Sequence, residues 1–421
     1  MVNEHRKTFL KNSAAQYALQ LAKYILPFVT LPYLTRVLGV EGYAVRAYVL
    51  AVMSFAQLLL EFGFNLHGAK LVAGFKDDVE RVERTIGSIL ASKLVLQIIG
   101  LPIIFGMCVA IPLMGENIPF TFLCYLSICF SVLMPDFIFM AYEKLGILTS
   151  RYVISKLLAT VLTFALVKGP NDLWLVGLLD VISAFVALVL SFASLSRDFG
   201  LVIGMPSLQS IWASIKGSGL YFLSNVSGTI MSSATTIAVG LWISDSAVVS
   251  YWSLGMTVAN AVNALYTPLT NALYPHMINE YDQKLARRML MLATPVALFI
   301  AAVVFFLSDQ IMLLLGGIDY VAGSYVIACL APLFFFGFPV ILLGWPLLGA
   351  AGYVEEMTRT SLTATVLLLL GLGALYIIGA FSIVAVATLR CFCEFVLLAF
   401  RAIYVCKYNL LGSDPIKRGS K

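Results

Sequence analysis

The sequence predicts an all-α polytopic membrane protein, with twelve transmembrane helices in two six-helix lobes around a central cavity. Three observations lead to this fold class. Of the 421 residues, 61% are hydrophobic and only 12% are charged, which is about half the charged share of a soluble domain. The mean hydropathy is +0.95. Apolar stretches of about 18 residues or more, long enough to cross a bilayer as helices, recur along the chain. These numbers exclude a soluble enzyme, a disordered chain and a disulfide scaffold.

Turn-forming residues divide the chain into the predicted spans. Gly39 to Gly42, Pro112 to Pro119 and Gly169 to Asp172 interrupt the apolar runs, because glycine and proline favour turns. The twelve predicted spans are 12–38, 43–66, 86–111, 119–142, 149–168, 173–195, 218–242, 247–274, 286–307, 322–349, 358–379 and 381–406.

The basic residues indicate an orientation. With the N-terminus in the cytoplasm, the segments on the inner side hold 20 Lys and Arg residues, whereas the outer segments hold only Arg46 and Lys168. Basic residues concentrate on the cytoplasmic side of membrane proteins. The sequence therefore predicts that both termini are cytoplasmic.

The long connection 196–217 separates the predicted lobes. It contains Gly200, Gly204 and Pro206 and then a short amphipathic piece. We therefore expect an N-terminal lobe at 1–206 and a C-terminal lobe at 207–421. An even number of spans in each lobe predicts parallel repeats, related by an axis along the membrane normal.

Polar residues recur at helical spacing in spans 1, 2, 7 and 8, and a charge at the bilayer centre costs about 3 kcal/mol on insertion scales. One interpretation is that they hydrogen-bond neighbouring helices. The interpretation we favour is a shared, water-filled substrate cavity. Its predicted lining is Lys23, Gln16, Gln20, Thr30, Gln57, Glu61, Asn225, Asn260, Asn263 and Asn271.

Four charged residues have open roles, and one of them, Glu61, also belongs to the predicted lining. Arg36 and Arg46 flank the first predicted outer turn, where they would bind lipid phosphate or receive an anionic ligand on the periplasmic side. Asp136 follows Pro135 near the end of span 4, where it would pair locally or join the cavity. Glu61 and Asp136 are the candidate acids for coupling transport to an ion.

Other charges within spans have structural explanations. Arg390 and Glu394 lie four residues apart in span 12, which predicts a mutual ion pair. Lys93 and Arg401 lie near predicted helix ends, where long side chains can extend to the head groups.

The sequence contains no arrangement typical of an enzyme, a metal site or a cofactor site. A Ser/His/Asp set or paired carboxylates would need to meet on one face, and no such catalytic constellation appears. No P-loop is present, so ATP is not predicted as the direct energy source. The basic residues are scattered rather than massed in one patch, which argues against nucleic-acid binding.

Three segments carry a resemblance to a known family. Residues 33–43 read YLTRVLGVEGY, which resembles the first conserved turn of Wzx-type polysaccharide flippases, members of the multidrug/oligosaccharidyl-lipid/polysaccharide exporter superfamily. Residues 244–252 and 272–275 are similar to that family's turn and helix end in the second half. The sequence departs from the family at Ala44, Arg46 and Val249.

The resemblance implies a function and a location. Such flippases move an undecaprenyl-pyrophosphate-linked oligosaccharide, such as an O-antigen repeat unit, from the cytoplasmic to the periplasmic leaflet of the bacterial inner membrane. It implies alternating access, no enzymatic activity and no cofactor. The implied partners are the lipid-linked glycan, the phospholipid bilayer, and a polysaccharide polymerase and chain-length regulator. Lys23 would pair with the pyrophosphate or with an acidic sugar.

Three alternatives remain at this point. A multidrug or cation antiporter of the same superfamily would share the fold. A lipid II flippase typically has additional spans. An O-antigen polymerase would carry a large periplasmic loop with arginines, whereas the longest predicted outer segment, 308–321, contains no Lys or Arg.

Overall fold

The computed structural model describes the backbone of residues 2–243, 245–279 and 281–412. It describes the side chains from Ala22 onward, with a few gaps that include residues 24, 220, 223, 224, 267–269, 271, 272, 275, 276, 278 and 279. The described residues are almost entirely helical and contain no strand. The helices are α1 Val2–Glu61, α2 Phe64–Ala73, α3 Val79–Ala110, α4 Pro112–Gly115, α5 Ile118–Leu133, α6 Asp136–Ala141, α7 Leu145–Leu166, α8 Leu173–Phe199, α9 Leu208–Trp242, α10 Ser246–Asn279, α11 Gln283–Phe306, α12 Ser308–Gly316, α13 Ser324–Leu342, α14 Val354–Ile377 and α15 Ile383–Lys407.

The chain divides into two compact units, Met1–Thr229 and Ile230–Lys421. We call them the first unit and the second unit. Helix α9 contains residues of both, because it runs from Leu208 to Trp242. The two lobes predicted from the sequence, with their boundary between residues 206 and 207, stay a prediction.

Within the described residues, nine helical segments are long and apolar enough to cross a membrane. The chain is therefore a multi-pass membrane protein. The prediction of twelve spans differs from this number at three places. Spans 1 and 2 lie on one continuous segment, Ile25–Ala73, of 49 residues. Spans 7 and 8 correspond to α9 and α10, which have 35 and 34 residues but are absent from the nine because their polar side chains lower the mean hydropathy.

A glycine interrupts the first long helix where the sequence predicts a turn. Gly39 has φ 68° and ψ −177° inside α1, and a side chain there would meet nothing within 4 Å. The requirement for glycine is thus conformational rather than steric, since only glycine adopts positive φ without strain. This residue belongs to the segment 33–43, which carries the family resemblance.

In the first unit, α1 and α7 run side by side in the same direction. The Tyr33 hydroxyl donates to the Val167 carbonyl oxygen at 2.5 Å, and its ring lies 4.7 Å from that of Phe164. Ten residues earlier on α1, Lys23 lies against Tyr152, near the beginning of α7. A hydrophobic core that includes Phe64, Val82 and Phe137 joins α2, α3 and α6.

In the second unit, the helix α13 ends in a π-helical stretch, Leu343–Gly349. Gly344 has a non-helical ψ of −112°, and Pro346 has no backbone N–H to donate, so the regular helix is interrupted here. The buried Arg401 guanidinium lies against the break: its Nη1 donates to the Val340 carbonyl oxygen at 2.5 Å and its Nη2 to Ser361 Oγ at 3.0 Å. A Cβ on Gly344 would be only 2.7 Å from Nη1, which leaves no space for a side chain.

Two glycines bring the connection between α8 and α9 against α3. Gly204 N donates to the Glu83 carbonyl oxygen at 3.0 Å, and a Cβ added to Gly87 would lie 1.8 Å from the Gly204 carbonyl oxygen. This contact is between backbone atoms. A larger residue at position 87 would therefore clash with the backbone, and no side chain could move aside to remove the clash.

We expect Gly87→Ala to lower the free energy of unfolding by about 3 kcal/mol, because overpacking against backbone forces the chain to shift. Thermal unfolding of the purified protein in detergent would measure this. Gly106→Ala in the same helix is the matched control, since a Cβ there meets nothing within 4 Å. Equal unfolding temperatures for the two variants would contradict the prediction that Gly87 packs against the Gly204 backbone.

Candidate functional site

Among the described side chains of the first unit, three ion pairs join different helices. In the first, Lys93 on α3 is fully buried, and its Nζ lies 3.6 Å from Glu61 Oε2 on α1. The same ammonium donates to the Val132 carbonyl oxygen at 2.7 Å, which is freed where α5 ends before Pro135. The prediction that Lys93 extends to the head groups is wrong, because a carboxylate and a carbonyl group within the protein hold its charge.

The second pair joins α6 and α7. Arg151 Nη1 donates to Asp136 Oδ1 at 2.8 Å and to Ser191 Oγ at 2.5 Å. Of the two roles that the sequence left open for Asp136, local pairing is therefore observed. Arg151 is buried, and a buried guanidinium requires such partners because its desolvation is costly.

The third pair joins α7 and α8, with Lys156 Nζ donating to Asp180 Oδ1 at 2.7 Å. The half-buried Arg46 is a further cation that acts electrostatically on both members of this pair. Its Nε is shielded from solvent and has no hydrogen-bond partner among the described groups. The structure thus places Arg46 beside Asp180, while its predicted role as a periplasmic-side cation remains a prediction.

Lys23 differs from these paired residues. Its side chain is exposed, and its Nζ lies 5.9 Å from the centre of the Tyr152 ring, at the outer limit of a cation–π contact. None of the ion pairs between described side chains includes Lys23. Asp136 and Arg151 are the charged groups that act on it, and these two groups are paired with each other.

The charged groups of this region carry a positive excess. Five cations accompany three carboxylates, so the described groups have a formal charge of two positive units. They are Lys23, Arg46, Lys93, Arg151 and Lys156, with Glu61, Asp136 and Asp180. An exposed ammonium group near such an excess of positive charge can attract and hold an anion.

Of the other predicted cavity residues of the first unit, those with described side chains are Thr30, Gln57 and Asn225, and no hydrogen bond or ion pair joins them to this cluster. Gln57 and Asn225 are exposed. The Thr30 hydroxyl donates to the Pro27 carbonyl oxygen of its own helix at 3.0 Å. Arg36 is exposed and lies three residues before the Gly39 break. Gln16 and Gln20 lie on α1, but their side chains are outside the described residues.

In the second unit, the predicted cavity residues lie on α10. Asn260 is exposed and Asn263 is half-buried, with its Oδ1 close to Gly337 on α13, where a Cβ would come within 2.2 Å. The Asn271 side chain is outside the described residues. Whether any of these asparagines contacts substrate stays a prediction.

Two further charges of the second unit are buried on α15. Arg390 Nη1 donates to Glu394 Oε2 at 2.6 Å, with side chains only 10% and 11% exposed, so the predicted ion pair is confirmed. Arg401 is also buried and is engaged by Val340 and Ser361. The prediction that it extends to the head groups is therefore wrong.

The sequence reasoning missed Arg151, Lys156 and Asp180 as members of a buried cluster. Two signals were present: each residue lies inside a predicted span, and spans 5 and 6 are joined by the short turn 169–172. Antiparallel neighbours with opposite charges are natural partners. Which charges meet, however, depends on the rotation of each helix, and a single sequence does not reveal that rotation.

The chain is similar in sequence to a known family and to two named proteins. The family described as "Polysaccharide biosynthesis protein" matches residues 9–279. A protein of Escherichia coli (strain K12) named "Putative O-antigen transporter" is 25% identical over 276 residues, which are 66% of this chain and 66% of that protein. One of Shigella dysenteriae with the same name is 25% identical over 322 residues, 75% of this chain and 80% of that protein.

Two solved structures share the fold. A lipid II flippase MurJ in an inward closed conformation has a TM-score of 0.68 and 13% identity, covering 94% of this chain and 87% of its own. An inward-facing multidrug resistance MATE family transporter of the MOP superfamily has a TM-score of 0.64 and 14% identity, covering 94% and 98%. Identities this low show a common fold and nothing about substrate.

Proposed function

This chain belongs to the polysaccharide biosynthesis protein family, and on that premise we propose that it is a flippase for an undecaprenyl-pyrophosphate-linked oligosaccharide. It is a membrane transport protein rather than an enzyme. The proposed substrate is an O-antigen repeat unit or a similar glycan. It moves from the cytoplasmic to the periplasmic leaflet of a bacterial inner membrane by alternating access, and both termini lie in the cytoplasm.

The observation that carries the proposal is the exposed Lys23 ammonium beside a cluster with excess positive charge. A pyrophosphate is strongly anionic, and its passage through hydrocarbon without a counter-charge is prohibitive. Lys23 supplies a cation that no described acid neutralises by direct contact, at the point where α1 meets α7. The pair of Arg151 and Asp136 joins α7 to α6.

Charge pairing also weighs against the main alternative, a multidrug or cation antiporter. Such a transporter requires a carboxylate that can bind and release a proton or a sodium ion. Glu61, Asp136 and Asp180 each pair with a lysine or arginine, so an incoming cation would have to displace a resident one. Glu61 and Asp136 stay candidate coupling acids only on the condition that they leave these partners during the cycle.

A lipid II flippase shares the undecaprenyl-pyrophosphate chemistry and differs in the attached sugar and peptide. We place this chain with O-antigen transport because its curated relatives carry that name. A polysaccharide polymerase and a chain-length regulator are proposed partners, since the flipped repeat unit must be polymerised on the outer side. An O-antigen polymerase function is not favoured by any feature of the cluster.

Complementation tests the proposed substrate class. We expect expression of this chain to restore surface polysaccharide in at least one of a panel of flippase-deleted strains that make different repeat units, because recognition of the lipid pyrophosphate is common to them. Immunoblots and lipopolysaccharide gels would measure the polysaccharide. The empty vector and an O-antigen polymerase deletion strain are the controls.

Two outcomes would contradict this assignment. Rescue of a strain depleted of its lipid II flippase, without rescue of any polysaccharide strain, would move the chain to cell-wall precursor transport. Increased resistance to cationic drugs in an efflux-deficient strain, again without polysaccharide, would favour the antiporter.

A further inference from the structure

The connection between α8 and α9, together with the beginning of α9, exposes several apolar side chains. In this segment, 202–212, Met205 is 94% exposed, Leu208 87% and Trp212 68%. Val202 and Ile203, just before them, are also more than half exposed. A soluble surface rarely carries so many neighbouring apolar residues, so this face is suited to an apolar partner.

The amphipathicity of this segment is reversed relative to a helix on a soluble protein. Leu208 and Trp212 lie four residues apart on the outer face of α9, whereas the serines at positions 210, 214 and 218 form its inner face. Ser214 and Ser218 are buried, and Ser210 Oγ lies 2.8 Å from Ser88 Oγ on α3. In water the apolar face would turn inward, so the outer face is matched to an apolar surrounding.

Specific hydrogen bonds keep this segment against α3 in this orientation. Val202 N donates to the Glu83 carboxylate at 2.9 Å, and Gly204 N donates to the Glu83 carbonyl oxygen. The Ser92 hydroxyl donates to the Ile211 carbonyl oxygen at 3.2 Å. The exposed apolar set is therefore presented by a fixed backbone.

The location of the segment identifies its partner. On α3, a run of exposed apolar residues follows directly after the Ser92 contact, from Leu94 and Val95 through Ile98 and Ile99. That surface faces lipid, because α3 is one of the apolar membrane-spanning segments. The exposed residues of segment 202–212 adjoin the beginning of this surface, and Trp212 is the residue type that concentrates at the membrane–water interface.

We propose that segment 202–212 is embedded in the interfacial region of the bilayer, with Met205, Leu208 and Trp212 between the head groups and the upper acyl chains. This part of the first unit, between α8 and α9, is thereby a membrane-surface anchor rather than a water-exposed loop. Lipid, and not a second protein, covers this face. The proposal concerns the surface of the chain and is independent of the transported substrate.

Fluorescence quenching in reconstituted vesicles tests this position. The full chain and its Trp212→Phe variant are placed in phosphatidylcholine–phosphatidylglycerol vesicles, and the difference between their emission spectra isolates Trp212. We expect this component to be quenched strongly by lipids brominated near the head of the acyl chain and weakly by lipids brominated near its end. Aqueous iodide should quench it little.

A second pair of variants links the quenching to the apolar face. Met205→Asn combined with Leu208→Asn should move the Trp212 component toward water, with more iodide quenching and less bromine quenching. Gln209→Asn, at an exposed polar position of the same helix, should leave it unchanged. A Trp212 component open to iodide and insensitive to brominated lipid in the unsubstituted chain would overturn the proposal, and would instead mean that water or a partner protein covers the segment.

Discussion

Replacing Lys23 with alanine is expected to reduce transport of the lipid-linked glycan by about tenfold to 100-fold. The expected size follows from the loss of one charge-assisted contact to a phosphate, about 1.5–3 kcal/mol. Lys23 is exposed and unpaired among the described side chains, so its removal leaves no buried counter-charge, and folding should be unaffected. The measurement is translocation of a fluorescent undecaprenyl-pyrophosphate glycan in reconstituted vesicles at low substrate concentration.

Two control variants test whether the effect depends on the charge and position of Lys23. Lys23→Arg keeps the positive charge and should retain most activity, while Lys284→Ala removes an exposed lysine at the beginning of α11 and should retain all of it. Unchanged transport in Lys23→Ala, with the unsubstituted chain active, would overturn the role of Lys23 but leave the flippase function standing. An inactive unsubstituted chain in every glycan assay would overturn the function itself.

Replacing Glu394 with glutamine is expected to have the largest effect on stability. The Arg390–Glu394 pair is buried, and Glu394 is also the acid that acts on the nearby Arg401. The substitution leaves two buried guanidinium groups without this carboxylate, and breaking a buried pair from one side costs about 3–5 kcal/mol. We expect the apparent unfolding temperature in detergent to fall by about 5 °C or more.

The second unit contains a matched control for this variant. Arg359 and Glu355 form the same i, i+4 pair on α14, but their side chains are 66% and 74% exposed. Glu355→Gln should leave the unfolding temperature unchanged, because exposed ion pairs contribute little. Glu394→Asp keeps the charge and should fall between Glu394→Gln and the unsubstituted chain. Equal effects of Glu394→Gln and Glu355→Gln would contradict the argument from burial.

The difference between twelve predicted spans and nine apolar segments has a physical origin. The polar residues of α9 and α10 recur at helical spacing, and both helices extend over 34 residues or more. Their asparagines, serines and threonines lower the mean hydropathy of α9 and α10. The length of these two helices, and not their hydropathy, is what fits a membrane span. At Gly39 the turn was predicted from residue types, and the structure places it at a single positive φ within one helical segment.

The charged residues illustrate the limit of sequence reasoning. Arg390 and Glu394 were paired correctly because both lie on one helix, where a spacing of four determines the contact. Lys93 and Arg401 were assigned incorrectly to the head groups, because their partners, Glu61 and the Val340 carbonyl, are 32 and 61 residues away. The partner of Lys156 was missed for the same reason.

The sequence by itself determined the membrane environment, the helical class and the family, since these follow from composition, from the length of apolar runs and from short local motifs. The tertiary structure decided which charges neutralise one another and which remain available. It paired Lys93, Arg151 and Lys156 with carboxylates on other helices and left Lys23 exposed. Whether a charge is paired or exposed depends on the rotation and depth of the packed helices. Because a buried charge is costly to desolvate and needs a partner, only an exposed, unpaired cation is available to bind an anion.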